Sequence, residues 1–300
     1  MLPKRLQTGD KIGLISPAGI MEEESIIKAC QGLESLGMKT ELAPCMLSNS
    51  WGYAASAQER AEDFHAMLYR EDIKMILFGG GEVCNEILPL LDYGLFQQHP
   101  KIICSYSDST TLLDAIYAKT GLITYYGASP GNFQAITSYN RECFKEMFFI
   151  GKARPFRRSG QWKVLRSGQA KGILIGGYLV NFSLLVDGKY LPISPNEKYL
   201  LFLEDHIRYN KVAAVARYLA HIEQSDFFRQ VTGLVFGHYS EPQDSDLLTL
   251  LLRFATRNEL PAVYCDDFGH GSRNAVLPIG VPAFLDTDQQ KLVFQENTVL

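Results

Sequence analysis

Cysteine is sparse in this chain and shows no sign of pairing. The six cysteines form no Cys-x-x-Cys motif and lack the dense, even spacing of a disulfide-rich secreted protein. The six histidines do not approach the cysteines in a zinc-binding pattern. These absences argue against a disulfide framework and a zinc site. We expect reduced, mostly buried thiols and no metal.

An excess of positive charge and a long hydrophobic run are also missing. The formal net charge is -4, and no run of lysines and arginines marks a surface for nucleic acid or membranes. No apolar run reaches the roughly 18 residues of a membrane-spanning helix, and none of signal length precedes the Gly9-Asp10 turn. We therefore expect a cytoplasmic protein that binds neither nucleic acid nor membranes.

A glycine-rich segment suggests a nucleotide-binding loop, but the sequence motifs of such loops are incomplete here. Gly79-Gly80-Gly81 follows an apolar segment, but no Gly-Lys-Ser/Thr comes after it, and Cys84 stands where a Gly-x-Gly-x-x-Gly motif needs its third glycine. A tight turn that requires positive φ explains the glycines without a ligand. We expect no dinucleotide and no other organic cofactor.

The chain does contain a regular alternation of short apolar segments with amphipathic ones. Its 46% hydrophobic residues over 300 positions can bury a substantial core. The pattern predicts an α/β protein with a mostly parallel sheet in an N-terminal domain, residues 1–150, and a second, smaller α/β domain, residues 172–300. Residues 151–171 are rich in glycine and arginine without a clear period, which indicates an interdomain linker.

Individual elements follow from the same periodicity. The predicted strands are residues 12–16, 40–43, 74–78, a run ending before Ser107, 122–126, 199–203, 233–236, 262–264 and 291–294. The predicted helices are residues 23–36, 56–68, a segment ending at Leu91, one after Ser107, 211–221 and 244–254, and a turn is predicted at Gly176-Gly177.

Ser107 lies where an apolar strand meets a helical pattern. Residues 102–104 are typical of a buried strand, and residues 112–117 carry apolar side chains at helical spacing. Such a turn projects a hydroxyl beyond the sheet edge, where parallel sheets bind ligands, and aims free helix N–H groups at a nearby anion. Ser107 is therefore the candidate nucleophile. Helix capping by Ser107, Asp108 or Ser109 is the alternative that the local sequence leaves open.

Several further motifs accompany Ser107 in a fixed order. They are Gly80-Gly81, Leu-Pro-Leu-Leu-Asp-Tyr at 88–93, Tyr106-Ser107-Asp108, Thr124-Tyr-Tyr-Gly127, Gly176-Gly177, Leu201-Phe-Leu-Glu-Asp205, Phe268-Gly-His270 and Leu277-Pro-Ile-Gly280. Over nearly the whole chain, this series resembles the LD-carboxypeptidase family of serine peptidases. The resemblance implies two α/β domains, an active site in the groove between them, a serine nucleophile and a homodimer.

The resemblance assigns a catalytic triad of Ser107, His270 and Glu204. A serine hydroxyl needs a base within hydrogen-bond reach, and that base needs an orienting group. His270 lies in a loop of small residues, and Glu204 ends an apolar run, so both suit these roles. His238 is the alternative base. Asp205 points to the opposite face of a continued strand, so it cannot share the role of Glu204.

The resemblance also implies an oxyanion hole and substrate contacts. Gly81 and Asp108 would donate their backbone N–H groups to the oxyanion, and Gly80 would lie against the substrate. Trp162 stands within the predicted linker. Its aromatic ring either stacks on a ligand or fixes the linker to a domain surface.

Three departures from the family pattern bear on which substrate the protein accepts. Ser105 replaces the glycine of the nucleophile motif, Gly79 stands where many LD-carboxypeptidases have an arginine, and Tyr178 replaces a common asparagine. The Gly80-Gly81 motif without arginine, the Asn85 that follows, Thr124-Tyr-Tyr-Gly127 and Gly160-Gln-Trp162 resemble the microcin-C-immunity branch, which cleaves aminoacyl groups from sulfamoyl or phosphoramidate adenylates. We expect a small-molecule or short-peptide substrate, either such an adenylate or the tetrapeptide of cell-wall recycling. The alternative of another class is a non-catalytic protein that binds a peptide or nucleotide.

Overall fold

The computed structural model describes residues 1–50, 52–192, 194 and 196–300. Its strands are β1 (Lys11–Ile15), β2 (Lys39–Leu42), β3 (Ile73–Phe78), β4 (Ile102–Ser105), β5 (Thr124–Tyr126), β6 (Arg154–Pro155), β7 (Lys163–Arg166), β8 (Gln169–Tyr178), β9 (Tyr199–Glu204), β10 (Val231–Phe236), β11 (Ala262–Tyr264), β12 (Leu277–Ile279), β13 (Pro282–Asp286) and β14 (Lys291–Phe294). Its α-helices are α1 (Glu23–Glu34), α2 (Ala57–Tyr69), α3 (Tyr93–Gln98), α4 (Thr110–Thr120), α5 (Pro130–Phe133), α6 (Ser138–Lys145), α7 (Leu179–Leu185), α8 (Val212–Glu223) and α9 (Ser245–Arg257).

The N-terminal sheet has the strand order β12-β5-β4-β3-β1-β2. Strands β1 to β5 pair in parallel, and β12 adds to the edge in antiparallel orientation. β4 is buried along its whole length, as expected for a parallel sheet with helices on both faces. The predicted α/β class and mostly parallel N-terminal sheet are confirmed. The edge strand β12 comes from the C-terminal half of the chain, so the two halves share this sheet.

The C-terminal sheet is mixed, with the order β6-β14-β13-β8-β9-β10-β11-β7. β8 to β11 pair in parallel, and the outer strands pair in antiparallel orientation. Residues 151–171 do not form an irregular linker, because β6 and β7 lie within them as opposite edges of this sheet. β6 has two residues, and β7 leaves Val164 exposed, so neither shows the alternation of a half-buried strand.

Gly176 and Gly177 lie inside β8 and do not form the predicted turn. An added Cβ on Gly177 would lie 2.5 Å from Thr110 Oγ1 and 2.9 Å from a ring carbon of Tyr126. Glycine is therefore needed here because the C-terminal sheet approaches α4 and β5 of the N-terminal domain too closely for a side chain. This approach brings the carboxyl ends of β4 and β9 together.

The segment before Leu91 also differs from the prediction, which was a helix. It forms a 3-10 turn over Cys84–Ile87. Pro89 follows after Leu88, and a proline lacks the N–H that a continued helix would require. Gly80, which precedes this turn, lies beside Ser107.

Candidate active site

Ser107 begins the 3-10 turn that joins β4 to α4. Its φ is 66°, which is unusual for a residue with a side chain and typical of strained functional turns. Below it, the Ser105 hydroxyl donates to the Phe78 carbonyl at 2.6 Å, and its oxygen lies 2.8 Å from Ser109 Oγ, which ties the turn to β3. The Ser107 hydroxyl does not cap the helix. It lies 2.8 Å from His270 Nε2.

His270 connects Ser107 to Glu204. Its Nδ1 lies 2.8 Å from Glu204 Oε2, and the same oxygen accepts from the His270 backbone N–H at 3.2 Å. These two bonds fix the ring so that Nε2 faces the serine. Burial lowers the pKa of His270, but the charge and hydrogen bond of Glu204 outweigh that effect, and the net pKa is raised. The arrangement therefore favours accepting a proton at Nε2.

Glu204 ends β9, and its side chain is buried. Asp205 is also buried but belongs to a separate cluster, in which it accepts from Asn210 Nδ2 at 3.0 Å and from the His206 N–H at 2.7 Å. Burial raises the pKa of Asp205 to about 7. The two neighbouring carboxylates thus contact different groups, as the alternation of a strand predicts.

His238, the alternative base, is buried against a different carboxylate. Its Nδ1 lies 3.0 Å from Asp266 Oδ1. Its ring packs 5.7 Å from the ring of His206, which lies 6.1 Å from the ring of His270. The structure places His270, and not His238, beside the Ser107 hydroxyl.

The predicted oxyanion-hole residues Gly81 and Asp108 line one cleft with Ser107, and Gly80 makes the close approach to the Ser107 turn. A Cβ on Gly80 would lie 3.1 Å from Ser107 Cβ and 3.4 Å from Asp108 N, so glycine permits this close approach. Gly81 packs on Gly19, where an added Cβ would lie 2.7 Å from the Gly19 nitrogen. The Ser107 N–H is already engaged, because it donates to Tyr126 Oη at 3.1 Å.

Both oxygens of the buried Asp108 carboxylate accept hydrogen bonds. Its Oδ2 accepts from Cys84 N at 2.8 Å, and its Oδ1 accepts from Asn181 Nδ2 at 2.6 Å. Burial raises the pKa of Asp108, and these hydrogen bonds act in the opposite direction. Asp108 therefore joins the turn of the nucleophile to the segment after β3 and to α7.

A cleft of about 530 Å³ opens over the serine. Its lining residues are Gly80, Gly81, Glu82, Tyr106, Ser107, Asp108, Ser129, Tyr178, Val180, Asn181, Leu184, Tyr209, Asn210 and His270. Three tyrosine rings, those of Tyr106, Tyr178 and Tyr209, lie 5.1 to 5.5 Å from the imidazole of His270. Sequence reasoning did not find this aromatic wall, because its tyrosines come from three separate segments.

Trp162 does not line this cleft. It is 5% exposed and packs on Phe156, with ring centroids 5.8 Å apart, and its indole Nε1 donates to Asp267 Oδ2 at 2.9 Å. The expectation that Trp162 stacks on a ligand is therefore not supported by its position. Its ring fixes the segment around β6 and β7 to the C-terminal domain.

Within residues 1–50, 52–192, 194 and 196–300, no group of three or more histidine, cysteine, aspartate or glutamate side chains is suitably placed to hold a metal ion. In the same part of the chain, no helix combines the length and apolar character needed to cross a membrane.

A serine, a histidine and a carboxylate linked in this order beside a cleft are the arrangement of a serine hydrolase. Comparison with known families agrees: residues 12–127 match the LD-carboxypeptidase N-terminal domain and residues 171–285 match the LD-carboxypeptidase C-terminal domain. The chain belongs to the LD-carboxypeptidase family, so it is a serine carboxypeptidase.

Relatives within the family have different names. The chain is 27% identical to the microcin C7 self-immunity protein MccF of Escherichia coli, over 99% of this chain and 96% of the relative. It is also 27% identical to the "Probable murein peptide carboxypeptidase" of Bacillus subtilis, over 98% and 94%. The solved structure of MccF in complex with aspartyl sulfamoyl adenosine is similar over 100% of both chains, with a TM-score of 0.89 and 25% identity. These matches support the fold along the whole chain.

Proposed function

We propose that Ser107, His270 and Glu204 form a catalytic triad that hydrolyses a small amide or acyl bond. The observation that carries the proposal is the pair of 2.8 Å hydrogen bonds that joins Ser107 Oγ to His270 Nε2 and His270 Nδ1 to Glu204 Oε2. A triad needs these contacts in this order, because the base must reach the nucleophile while its other nitrogen is held by an acid.

The reaction is acyl transfer through a covalent intermediate. Ser107 Oγ attacks the substrate carbonyl carbon while His270 Nε2 takes the hydroxyl proton, and Glu204 stabilises the imidazolium. The backbone N–H groups of Gly81 and Asp108 hold the oxyanion. The tetrahedral intermediate collapses as His270 gives the proton to the leaving group. Water then attacks the acyl-enzyme by the same steps, which releases the acid and restores the serine.

The cleft favours a substrate with a planar group. Tyr106, Tyr178 and Tyr209 present aromatic surface beside the nucleophile, and stacking of a base on an aromatic ring contributes about 1–3 kcal/mol. MccF, a relative, has been solved with aspartyl sulfamoyl adenosine. We propose an aminoacyl adenylate analogue as the substrate class, with the adenine against the aromatic wall of these three tyrosines.

The tetrapeptide of cell-wall recycling is the second candidate, and the murein peptide carboxypeptidase relative is the reason to test it. A free terminal carboxylate would be expected to meet an arginine or lysine. Neither residue type lines the cleft in the described part of the chain, where Asn181 and Asn210 are the neutral amide donors. The aspartyl group of an adenylate also carries a carboxylate, so the aromatic surface of the cleft, and not this absence, is the reason to prefer the adenylate.

Labelling with a fluorophosphonate tests the nucleophile without knowledge of the substrate. We expect wild type to gain one adduct per chain by intact mass and Ser107→Ala to gain none. Ser105→Ala is the matched control, because the Ser105 hydroxyl lies two residues away and is engaged with Phe78 and Ser109. A wild-type protein that forms no adduct would favour the non-catalytic binding protein.

The base and the substrate are tested by direct assays. His270→Ala should abolish release of the aminoacyl group, whereas His238→Ala should retain it; the reverse result would assign the base to His238. Assays of wild type on aspartyl sulfamoyl adenosine and on a tetrapeptide ending in D-Ala should show turnover of the first. Efficient release of D-Ala with the adenylate left intact would instead identify the tetrapeptide as the substrate.

A further inference from the structure

The hydroxyl of Tyr126 lies between two parts of the proposed triad. Tyr126 ends β5 in the N-terminal domain and is fully buried. Its Oη donates to Glu204 Oε1 at 2.5 Å and accepts from the Ser107 backbone N–H at 3.1 Å. Glu204 belongs to the C-terminal domain, so one hydroxyl contacts the nucleophile turn and the acid across the domain interface.

These contacts close a ring of hydrogen bonds. From Glu204, one path runs through Oε2, the imidazole of His270 and the Ser107 hydroxyl, with two bonds of 2.8 Å. The other path runs through Oε1, the Tyr126 hydroxyl and the Ser107 N–H. We infer that Tyr126 is a positioning residue that sets the geometry between Glu204 and the nucleophile turn. The inference rests on the proposed function of the triad.

The ring has two physical consequences. Both carboxylate oxygens of Glu204 are engaged, so the side chain cannot rotate without breaking a bond, and Oε2 stays aimed at His270. The Ser107 N–H is occupied, which stabilises the strained φ of 66° and leaves the Asp108 N–H to serve the oxyanion. Burial, and then the charge of Glu204, raise the pKa of Tyr126, so the phenol remains protonated and able to donate.

The adjacent residue, Tyr125, provides a control that distinguishes a positioning role of Tyr126 from a packing role. Tyr125 lies on the same strand, is equally buried, and donates its hydroxyl to the Thr298 carbonyl on the opposite face of the sheet. Removing either hydroxyl deletes one oxygen and leaves the ring in the core. Tyr125→Phe is therefore a control for the general cost of losing a buried tyrosine hydroxyl on β5.

The test compares Tyr126→Phe with Tyr125→Phe and wild type in the full chain. We expect Tyr126→Phe to lower kcat and the fluorophosphonate labelling rate by about 10- to 100-fold, because small misplacements of reacting groups have effects of this size. KM should change little, since substrate contacts remain. The acid limb of the kcat/KM profile should move to higher pH, because Glu204 loses a donor and its charge acts more strongly on His270. Tyr125→Phe should retain the wild-type rates and profile.

A double-mutant cycle provides the second measurement. If Tyr126 acts through Glu204, Tyr126→Phe should reduce the labelling rate much less in a Glu204→Gln background than in wild type. Four results would each overturn the positioning role. Tyr126→Phe could reduce the rate equally in both backgrounds, or it could show wild-type kinetics. The two tyrosine variants could lose activity equally, or Tyr126→Phe alone could fail to fold. Failure of the triad itself gives a different result, since wild type would then take no label.

Discussion

The indole of Trp162 donates to Asp267, which lies three residues before His270 in the chain. Asp267 Oδ1 also accepts from the Ser159 backbone N–H at 3.2 Å. The segment between β6 and β7 is thereby joined to the loop that carries the proposed base. Of the two roles that the sequence left open for Trp162, ligand stacking and fixation of its segment to a domain surface, its position supports the second.

Trp162→Ala should therefore act on stability and on both substrates alike. We expect a loss of about 3–5 kcal/mol in the free energy of unfolding, which is the usual effect of removing a buried large aromatic side chain. Denaturant unfolding measures this loss, and assays on the adenylate and the tetrapeptide measure selectivity. Trp162→Phe, which keeps a ring but removes the donor to Asp267, is the intermediate variant. A loss confined to the adenylate would place Trp162 in the substrate site.

Gly80→Ala should slow the reaction without unfolding the protein. The added Cβ would lie 3.1 Å from Ser107 Cβ and 3.2 Å from the Tyr106 carbonyl, so the nucleophile turn must shift. We expect kcat to fall by about 10²-fold, as for loss of an oxyanion donor. Gly79→Ala is the matched control, since its Cβ would meet only Met21 Sδ, at the ordinary distance of 3.6 Å. Equal activity of the two variants would contradict the close approach at Gly80.

The pH dependence should report His270. The base must be neutral, so kcat/KM should rise with pH through an apparent pKa above the usual histidine value of about 6.5. The pKa is raised because Glu204 outweighs the burial of the imidazole. In Glu204→Gln, burial remains while the charge is gone, so the midpoint should move to lower pH and kcat should fall by up to about 10⁴-fold. A midpoint unchanged by Glu204→Gln would argue against His270 as the titrating base.

Asp114 should make folding stability depend on pH. It is fully buried in α4 and accepts from the Gly176 N–H at 3.3 Å, and burial raises its pKa well above the usual range. A raised folded-state pKa means that its contribution to stability is present at low pH, below the unfolded pKa, and is lost as pH rises through the folded pKa. Asp114→Asn should flatten this decline and increase stability at neutral pH, where each pKa unit corresponds to about 1.4 kcal/mol. Urea unfolding of both proteins at pH 5 and pH 8 measures the effect; parallel pH slopes would refute it.

Local pattern predicted several elements, among them the strand that ends at Glu204, whereas the roles of Glu204 and His270 came from the family resemblance. The helix predicted over residues 56–68 forms over Ala57–Tyr69 because Ser56 and Glu59 make a capping box. The strand predicted over residues 199–203 ends at Glu204 because a buried apolar run stops at a carboxylate. The same kind of boundary, a strand followed by hydroxyls and a helix, made Ser107 a candidate nucleophile while leaving helix capping open.

The remaining features depend on contacts between distant segments. Tyr126 and Glu204 are 78 positions apart, and nothing near either residue indicates that they meet. The Gly176-Gly177 pair is typical of a turn. Only the approach of Thr110 and Tyr126 explains why glycine is needed at position 177 within a strand. β7 is short, half-exposed and at a sheet edge, so its sequence carries little of the signal that identifies central strands.

The crossing of β12 to the N-terminal sheet determines how the molecule can open. Leu277 pairs with Tyr126, and Ile279 pairs with Thr124, only a few residues after the His270 loop. A hinge that swung the domains apart would have to break this ladder, so we expect substrate entry to depend on side chains at the cleft mouth. For the same reason, a fragment cut between the domains would lose one edge of its sheet, and the two halves should fold as a single cooperative unit.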